Sequence, residues 1–493
     1  MSDPHAVRPV RQISEQALSR ASGAPLVVGN RVRILEDATE NYPVWLSAIG
    51  EAKRLIYLEN YIIEEDEVGL AFAEALEERA RAGVQVRLIR DWLGTHRGTS
   101  RAFWRRLAVA GVEVRCFNPL HLGSPFGWIS RDHRKMIAVD GEVAFVTGLC
   151  ISQRWKGNAA RGIPPWRDTG LEIRGPAVAD VEHAFAELWE TMGEPIPAGE
   201  LSALGTRPRV GDVALRVVAG TPSTAGLFRM DQLVAAIARR SLWLTDAYFV
   251  GVTPYVQALR AAAKDGVDVR LLVPNATDLP LIRSFSRAGY RSLLEAGVRI
   301  FEWNGPMLHA KTAVVDGRWS RVGSSNLNLA SFLGNYELDV AVEDAPIALQ
   351  MEEMYLRDLT NATEIRLARN RVVRIGRAGA DPDARAALPP RARTRARDRR
   401  GSRGAAVGAI RVANTVGAAV TNHRTLGRSE GHILLLAGVA LAIVAVLATI
   451  WPRVVATPLA IVALWIGIAL IWRSSRLTSR HDDALSSPPD TRR

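Results

Sequence analysis

The pattern HxKxxxxD occurs twice in this 493-residue chain, and this repeat constrains the fold more than any other feature of the sequence. One copy occupies His133–Asp140 and the other occupies His309–Asp316. A glycine follows each copy at once. Two copies of one reactive cluster predict two similar halves that contribute to a single site.

The surroundings of each copy predict a strand followed by a tight turn. Histidine and lysine are separated by one residue, and an apolar run follows them, Met136–Val139 in the first copy and Thr312–Val315 in the second. Alternation with a period of two places both side chains on the same face of a strand. The Asp-Gly pair after each run is typical of a hairpin turn. We therefore expect histidine and lysine to project together from one strand, with the aspartate at its end.

Other segments also occur twice in the same order. A helical stretch, residues 69–81 in the first half and 254–264 in the second, ends near a glycine and leads into a strand rich in β-branched residues. The segment Leu55–Ile63 likewise matches Leu242–Val250. Since helices and strands alternate in both halves, the sequence predicts an α/β fold.

Around these motifs the chain resembles the phospholipase D superfamily, and it is most similar to the bacterial cardiolipin synthases. The similarity extends over residues 30–365 and includes Trp166–Asp168 after the first motif. After the second motif it includes Gly323–Asn326 and Asn335–Glu337. The resemblance implies two pseudo-symmetric α/β halves that share one active site. The paired motifs are specific for the superfamily, whereas the choice of reaction within it is less so.

The residue types of the repeat suit the cleavage of a phosphodiester. One imidazole can attack phosphorus to form a phosphohistidine while the other protonates the departing oxygen, because the pKa of histidine lies near neutral pH. Lys135 and Lys311 can hold the anionic oxygens while charge develops on them. The resemblance favours His133 as the nucleophile and His309 as the acid. It implies neither a cofactor nor a metal ion.

The resemblance also implies a carboxylate that orients each histidine by accepting a hydrogen bond from its second ring nitrogen. Each carboxylate lies downstream of a motif in the sequence. Within each half, the expected pairs are Asp168 with His133 and Glu337 with His309.

Several further positions are candidate site residues. By the same resemblance, Ser324 and Asn326 are candidates for binding the phosphate or orienting a histidine. The first half departs from this pattern, because Cys150 stands where the second half has Asn326, and a thiol is a poor phosphate donor. Asp140 and Asp316 are included among the candidate catalytic residues, although a structural role at the turn is an open alternative.

The positive charge of the chain is concentrated in its C-terminal part. Residues 371–493 contain twenty Arg, no Lys and seven Asp or Glu, whereas the whole chain has a net charge of +12. The preceding residues are therefore close to neutral, which argues against nucleic-acid binding by the catalytic region. The dense arginine run after Pro390 repels itself and predicts a flexible linker over residues 371–430.

Two apolar segments follow this linker, Ile433–Trp451 and Val454–Trp472. Each is about as long as a bilayer-spanning helix, so we predict a transmembrane helical hairpin over residues 431–473. Arginines flank the hairpin on both sides, and the positive-inside rule places these flanks and the catalytic region in the cytoplasm. Two isolated cysteines and a start without an apolar signal sequence agree with that side of the membrane. The expected location is the bacterial inner membrane.

The sequence thus divides into six predicted parts. They are an N-terminal arm (1–29), a first half (30–205), a second half (206–370), an arginine-rich linker (371–430), the hairpin (431–473) and a polar tail (474–493).

An enzyme anchored in this way is expected to act on a lipid of the same membrane. The leading hypothesis is a cardiolipin synthase that transfers a phosphatidyl group from one phosphatidylglycerol to another and releases glycerol. A phospholipase D hydrolase, a nuclease-like phosphodiesterase and an inactive lipid-binding protein are the alternatives, and the completeness of both motifs argues against the last. The expected partners are an anionic phospholipid and the membrane, through the hairpin and its arginine-rich flank. No nucleic acid is expected, and the sequence leaves the oligomeric state open.

Overall fold

A computed structural model describes residues 15–119, 130–197, 199–368 and 371–374, with four isolated residues between 457 and 465. The predicted hairpin, most of the predicted linker and the polar tail lie outside the described residues. Within the described ranges, every helix is too short or too polar to cross a membrane.

Apart from residues 120–128, both predicted halves belong to one compact unit, formed by Met1–Pro119 and Ile129–Ala380. The second unit, Leu120–Trp128 with Asp381–Arg493, lies almost wholly outside the described residues. The description below therefore concerns the first unit.

The described part of this unit contains one sheet of sixteen strands. The strands of the first half are β1 (Val27–Glu36), β2 (Leu55–Asn60), β3 (Gln85–Asp91), β4 (Glu113–Phe117), β5 (Lys135–Val139), β6 (Val143–Thr147) and β7 (Thr169–Arg174). Those of the second half are β8 (Val213–Gly220), β9 (Ser241–Thr245), β10 (Asp268–Pro274), β11 (Arg299–Trp303), β12 (Thr312–Val315), β13 (Trp319–Gly323) and β14 (Glu337–Glu343). β15 (Ala362–Ala368) and β16 (Arg371–Arg374) extend the edge of the second half.

The order of the strands makes the two halves pseudo-symmetric. Outward from the middle of the sheet, the first half runs β1-β7-β6-β5-β2-β3-β4 and the second runs β8-β14-β13-β12-β9-β10-β11. The halves join where β1 and β8 pair antiparallel, with an irregularity between Val27 and Asn30. β1 begins inside the segment 1–29 that was predicted as an arm. The prediction of two α/β halves is confirmed by this order.

Helices pack against both faces of the sheet. One face of the first half is covered by α2 (Asp37–Glu51), α3 (Glu67–Arg81) and α5 (Arg101–Val109), and one face of the second half by α8 (Gly226–Ile237), α9 (Thr253–Lys264) and α10 (Pro280–Leu294). The opposite face carries α7 (Val178–Glu190) and α11 (Ala345–Thr360). Shorter helices are α1 (residues 15–22), α4 (Trp92–Thr95) and α6 (Gln153–Lys156).

Local sequence signals explain where the paired helices begin and end. The Asp66 carboxylate accepts hydrogen bonds from the N–H groups of Val68 and Gly69, each at 3.0 Å, and so caps the start of α3. α3 and α9 are followed by Gly83 and Gly266, whose φ angles of 89° and 92° favour glycine. The helices predicted over residues 69–81 and 254–264 are confirmed by α3 and α9.

One hydrophobic core contains residues of both halves. Alternate residues of β2 point in opposite directions, so Tyr57 packs in this shared core while Ile56 packs under α2 and α3. In β9, Trp243 reaches the same shared core, and α7 and α11 fill the rest of it. Because the halves share one core, their facing loops are held in a fixed relation, which a site assembled from both halves requires.

Candidate active site

The two motifs enter the sheet at β5 and β12. Lys135 opens β5 and Lys311 directly precedes β12, with a histidine two residues earlier in each case. The Asp140–Gly141 pair that joins β5 to β6 has positive φ at both residues, 54° and 68°. The Asp316–Gly317 pair repeats this geometry with 54° and 62°. The predicted apolar strands and tight turns are confirmed, since the N–H of Glu142 donates to the carbonyl of Val139 at 2.9 Å and that of Arg318 to the carbonyl of Val315 at 3.0 Å. The prediction that histidine and lysine project from one strand is wrong, because each strand begins after its histidine.

Each histidine is joined through its backbone to the opposite half of the unit. The N–H of His133 donates to the carbonyl of Tyr336 at 2.9 Å, and the N–H of His309 donates to the carbonyl of Arg167 at 2.7 Å. A second hydrogen bond returns in each case, so both contacts are short parallel bridges. One bridge places His133 beside Tyr336, the residue before Glu337. The other places His309 beside Arg167, the residue before Asp168.

The histidine–carboxylate pairs therefore form across the halves. His133 Nδ1 lies 2.9 Å from Glu337 Oε2, and His309 Nδ1 lies 2.7 Å from Asp168 Oδ2. The expectation that Asp168 orients His133 and Glu337 orients His309 is wrong. The reason is that the bridges at residues 336 and 167 carry each carboxylate to the opposite histidine.

Both carboxylates favour the ionised form although they are buried. Burial opposes charge on Asp168, but the adjacent His309 and the Lys311 ammonium hold the pKa of this carboxyl below its usual value. His133 has the main lowering effect on the pKa of Glu337, again against burial. An ionised carboxylate accepts a hydrogen bond from the Nδ1–H of its histidine, so the Nε2 of each neutral imidazole carries the lone pair.

Burial also lowers the pKa of both imidazoles, because a charged ring would lose its water. For His133 the Glu337 carboxylate partly opposes this decrease. For His309, burial and the Lys311 charge lower the pKa to about 3. Lys311 acts on His133 as well, and Lys135 acts on His309, so the two motifs share one electrostatic environment. Both rings are therefore neutral near pH 7 in the absence of an anion.

Two buried ammonium groups supply positive charge to this site. Lys135 and Lys311 are at most 1% exposed, and each donates to the backbone carbonyl of the histidine two residues before it. Burial lowers the pKa of Lys311 to about 8, so the group remains mostly charged at neutral pH. In the described part of the chain, no group of three or more His, Cys, Asp or Glu side chains is arranged to hold a metal ion. Two buried cations beside neutral imidazoles are suited to attract a phosphate anion.

The residues after the second motif have separate places in the site. Ser324 Oγ donates to Glu337 Oε2 at 2.5 Å, so Ser324 acts on His133 through this carboxylate. Asn326 is 4% exposed, and its Oδ1 has no hydrogen-bond partner among the described residues. Cys150, its counterpart in the first half, is buried, and burial raises the pKa of the thiol. Ser324 thus lies with the residues that orient a histidine, while phosphate binding by Asn326 stays a prediction.

The aspartates of the two motifs lie at the far ends of their strands. The Asp140 carboxylate accepts hydrogen bonds from the backbone N–H groups of residues 53–55 at 2.8–2.9 Å. The Asp316 carboxylate accepts hydrogen bonds from the backbone N–H groups of residues 239–241 at 2.7–3.0 Å. Five residues of extended strand separate Asp140 from Lys135, which is about 16 Å. The inclusion of Asp140 and Asp316 among the catalytic residues is therefore corrected, since both carboxylates hold the loop before a neighbouring strand.

Replacing Asp140 by alanine is expected to lower the stability of the protein while its chemistry is kept. The variant loses the acceptor of three backbone N–H groups at a partly exposed edge, which costs about 1–3 kcal/mol of unfolding free energy. Asp140→Asn keeps one acceptor oxygen and should lose less. Thermal unfolding and kcat of the folded fraction measure the two effects separately. A folded Asp140→Ala variant with kcat reduced about a hundredfold would restore the catalytic assignment.

Sequence reasoning missed the aromatic residues that surround the histidines. The ring of Tyr61 lies edge-on to His133 with centroids 5.0 Å apart, and that of Tyr248 lies edge-on to His309 at 5.8 Å. Trp155 is also edge-on to His309, at 5.1 Å. The tyrosines had a readable signal, because they occupy matching places in the repeated segments around β2 and β9. Trp155 lacks a counterpart in the other repeat, so repetition could not reveal it.

Comparison with known proteins agrees with this geometry. The family described as "Cardiolipin synthase, PLD-like domain" matches residues 45–189 and 233–359, which include both motifs and both carboxylates. The chain belongs to this family. The resemblance to the phospholipase D superfamily predicted from the paired motifs is thereby confirmed.

Individual relatives match over most of their length. A protein named cardiolipin synthase from Alkalihalophilus pseudofirmus is 31% identical over 373 residues, which cover 72% of this chain and 74% of that protein. A cardiolipin synthase from Geobacillus kaustophilus is 34% identical over 346 residues, covering 69% and 68% respectively. Among solved structures, phosphatidylserine synthase from Haemophilus influenzae has a TM-score of 0.56 at 13% identity, covering 73% of this chain and 92% of that one. At that identity the structural likeness concerns the fold alone.

Proposed function

We propose that this protein is a phosphatidyltransferase that condenses two phosphatidylglycerol molecules into cardiolipin and glycerol. The observation that carries the proposal is the crossed arrangement of two histidine–carboxylate pairs, at 2.9 and 2.7 Å, beside two buried lysines. This arrangement occurs in a chain of the cardiolipin synthase family. Relatives that bear this name are similar to 72% and 69% of this chain.

In the first step, His133 Nε2 attacks the phosphorus of one phosphatidylglycerol. The bond between phosphorus and the glycerol headgroup oxygen breaks, and His309 gives its proton to that oxygen, so glycerol leaves and a phosphatidyl group remains on His133. Lys135, Lys311 and Asn326 hold the phosphate oxygens during this displacement. The anion also offsets the lysine charge that lowers the pKa of His309, so His309 can carry the proton once substrate is bound.

In the second step, His309 acts as a base. It removes the proton from a terminal hydroxyl of a second phosphatidylglycerol, and the resulting alkoxide attacks phosphorus. The bond between phosphorus and His133 then breaks, which releases cardiolipin and returns both histidines to their starting states. Glu337 and Asp168 keep the reactive Nε2 of each ring directed at phosphorus throughout.

The proposal is tested with full-length protein and phosphatidylglycerol vesicles, with products followed by mass spectrometry. Cardiolipin and glycerol in equal amounts are the expected products. Phosphatidic acid with glycerol would instead assign a hydrolase, in which water replaces the second lipid. Unchanged lipid together with cleavage of nucleic acid would overturn both. The His133→Ala variant purified in parallel is the control for contaminating activity.

We further propose that the protein is anchored in the bacterial inner membrane by residues 431–473, with its catalytic region on the cytoplasmic side. Support comes from the length and apolar character of the two segments in the sequence. The arginines on both flanks favour anionic lipid headgroups on one side of the bilayer. The division into arm, halves, linker, hairpin and tail likewise remains part of this proposal.

Deleting residues 430–475 is expected to move the protein from the membrane to the supernatant fraction. The deletion removes both apolar segments, which bind to the bilayer core by the hydrophobic effect. Fractionation at high salt measures the change, because salt screens any residual attraction of the arginines to lipid. A deletion of residues 481–493, which removes only part of the polar tail, is the matched control and should stay in the membrane. An unchanged membrane fraction after the first deletion would refute the anchor.

A further inference from the structure

The two carboxylates of the site each accept a second hydrogen bond on the oxygen that holds the histidine. On Glu337 Oε2 the second donor is the hydroxyl of Ser324, at 2.5 Å. On Asp168 Oδ2 it is the indole N–H of Trp155, at 2.9 Å. The pseudo-symmetric pairs therefore differ in the group behind the carboxylate.

The donors behind the two carboxylates differ because there is no room for a side chain beside Asp168. Gly148 occupies the place that Ser324 has in the second half, and a Cβ on Gly148 would lie 2.2 Å from Asp168 Oδ1. No side chain fits there, so the second donor comes from another element. α6 supplies it through Trp155, which is fully buried. The Ser152 hydroxyl oxygen accepts a hydrogen bond from the N–H of Arg154 at 3.2 Å and so caps the start of this short helix.

A second donor weakens the hold of a carboxylate on its histidine. The donor disperses the negative charge of the shared oxygen, so the carboxylate stabilises an imidazolium less. The indole can only donate, whereas the Ser324 hydroxyl donates to Glu337 and also accepts a hydrogen bond from the N–H of Leu338 at 2.9 Å. An imidazolium that is stabilised less releases its proton more readily to a leaving oxygen.

We infer that Trp155 is a positioning residue which, through Asp168, makes His309 a readier proton donor than it would be without the indole N–H. The inference rests on the proposed function for the step that uses this proton. The titratable groups that face His309 are Asp168, Lys311, Lys135 and Tyr248. None of them is removed when the indole N–H is lost.

The test replaces only the second donors, Trp155→Phe in one variant and Ser324→Ala in another. The full-length protein is labelled with ¹³C at the histidine Cε1 positions, and each ring is assigned by the signal that disappears in His133→Ala or His309→Ala. Trp155→Phe is expected to raise the pH at which His309 titrates by about one unit, since a hydrogen bond to a charged group is worth about 1–2 such units. His133 should titrate as in the wild type. Ser324→Ala should shift His133 and leave His309 in place.

Two further variants separate this effect from a loss of packing. Incorporation of benzothienylalanine at position 155 keeps the shape of tryptophan, replaces the N–H by sulfur, and should shift His309 in the same direction as Trp155→Phe. Trp166→Phe changes another ring close to His309, with centroids 6.0 Å apart, without removing the donor to Asp168, and should leave the titration unchanged. Thermal unfolding confirms that each variant is folded.

The titration is independent of turnover, so it remains decisive whichever reaction the enzyme performs. If the proposed function is also right, the pH profile of kcat moves upward in Trp155→Phe, because both the acid and the base form of His309 then titrate at higher pH. A His309 titration that stays in place without the indole N–H overturns the inference. Equal shifts of both histidines overturn it as well, since they would indicate a general loosening of the site.

Discussion

Replacing His133 by alanine is expected to lower phosphatidyl transfer by a factor of about 10³ or more, and His309→Ala should have an effect of similar size. The reason is that, in the proposed mechanism, the loss of either imidazole removes the nucleophile or the acid that acts on the phosphodiester. Cardiolipin formed from phosphatidylglycerol vesicles, measured by mass spectrometry, gives the rates. Asp140→Asn is the matched control, because it alters the same motif at the far end of the strand.

An activated leaving group separates the roles of the two histidines. With phosphatidyl-p-nitrophenol the first step needs no acid, so His309→Ala should release nitrophenol and accumulate a phosphatidyl-histidine adduct. His133→Ala should form no adduct, since the nucleophile is absent. An adduct that forms in His133→Ala and fails to form in His309→Ala would reverse the assignment.

The crossed pairs predict the second large effect. Glu337→Gln and Asp168→Asn are each expected to reduce transfer by about 10²–10⁴-fold, because an amide holds its histidine in the wrong tautomer. Since Glu337 contacts His133, Glu337→Gln should impair the release of nitrophenol from the activated substrate. Asp168→Asn should spare that release and impair the second step, as His309→Ala does. Cardiolipin formation and nitrophenol release from the activated substrate are measured for both variants.

The opposite pattern would indicate that each carboxylate serves the histidine of its own half. Glu302→Gln is a suitable control. Glu302 lies in β11, its carboxylate is as buried as that of Glu337, and it forms an ion pair with Arg287 at 2.6 Å. It is expected to lower stability and leave kcat of the folded protein near the wild-type value. A comparable loss of kcat in this control would show that any buried charge in the second half affects the site.

The sequence was sufficient for everything that depends on neighbouring residues. The apolar run after Lys135 predicted β5, although His133 lies before this strand, and the Asp-Gly pair predicted the turn after it. Asp66 and Gly83 mark the ends of α3 in the same local way. Repetition of these signals in the second half then predicted the pseudo-symmetric fold, because similar local sequences form similar units.

The carboxylate pairs were beyond such reasoning. His133 and Glu337 are 204 residues apart in the chain, and His309 and Asp168 are 141 apart. The resemblance implied a downstream carboxylate in each half, and the prediction paired each carboxylate with the histidine of its own half. The bridges at Tyr336 and Arg167 instead pair each histidine with the carboxylate of the other half. They are contacts between the two halves, which are joined through β1 and β8.

By itself, the sequence determined the duplicated α/β halves, the strand that carries each motif, the residue types of the site and the family. Only the tertiary structure decided that the carboxylates cross between halves, that Asp140 and Asp316 hold loops, and that Trp155 supports Asp168. The physical reason is the range of the interactions involved. Strands, turns and helix ends are set by contacts over a few residues, whereas the partners of a buried polar group are set by how whole strands and helices pack.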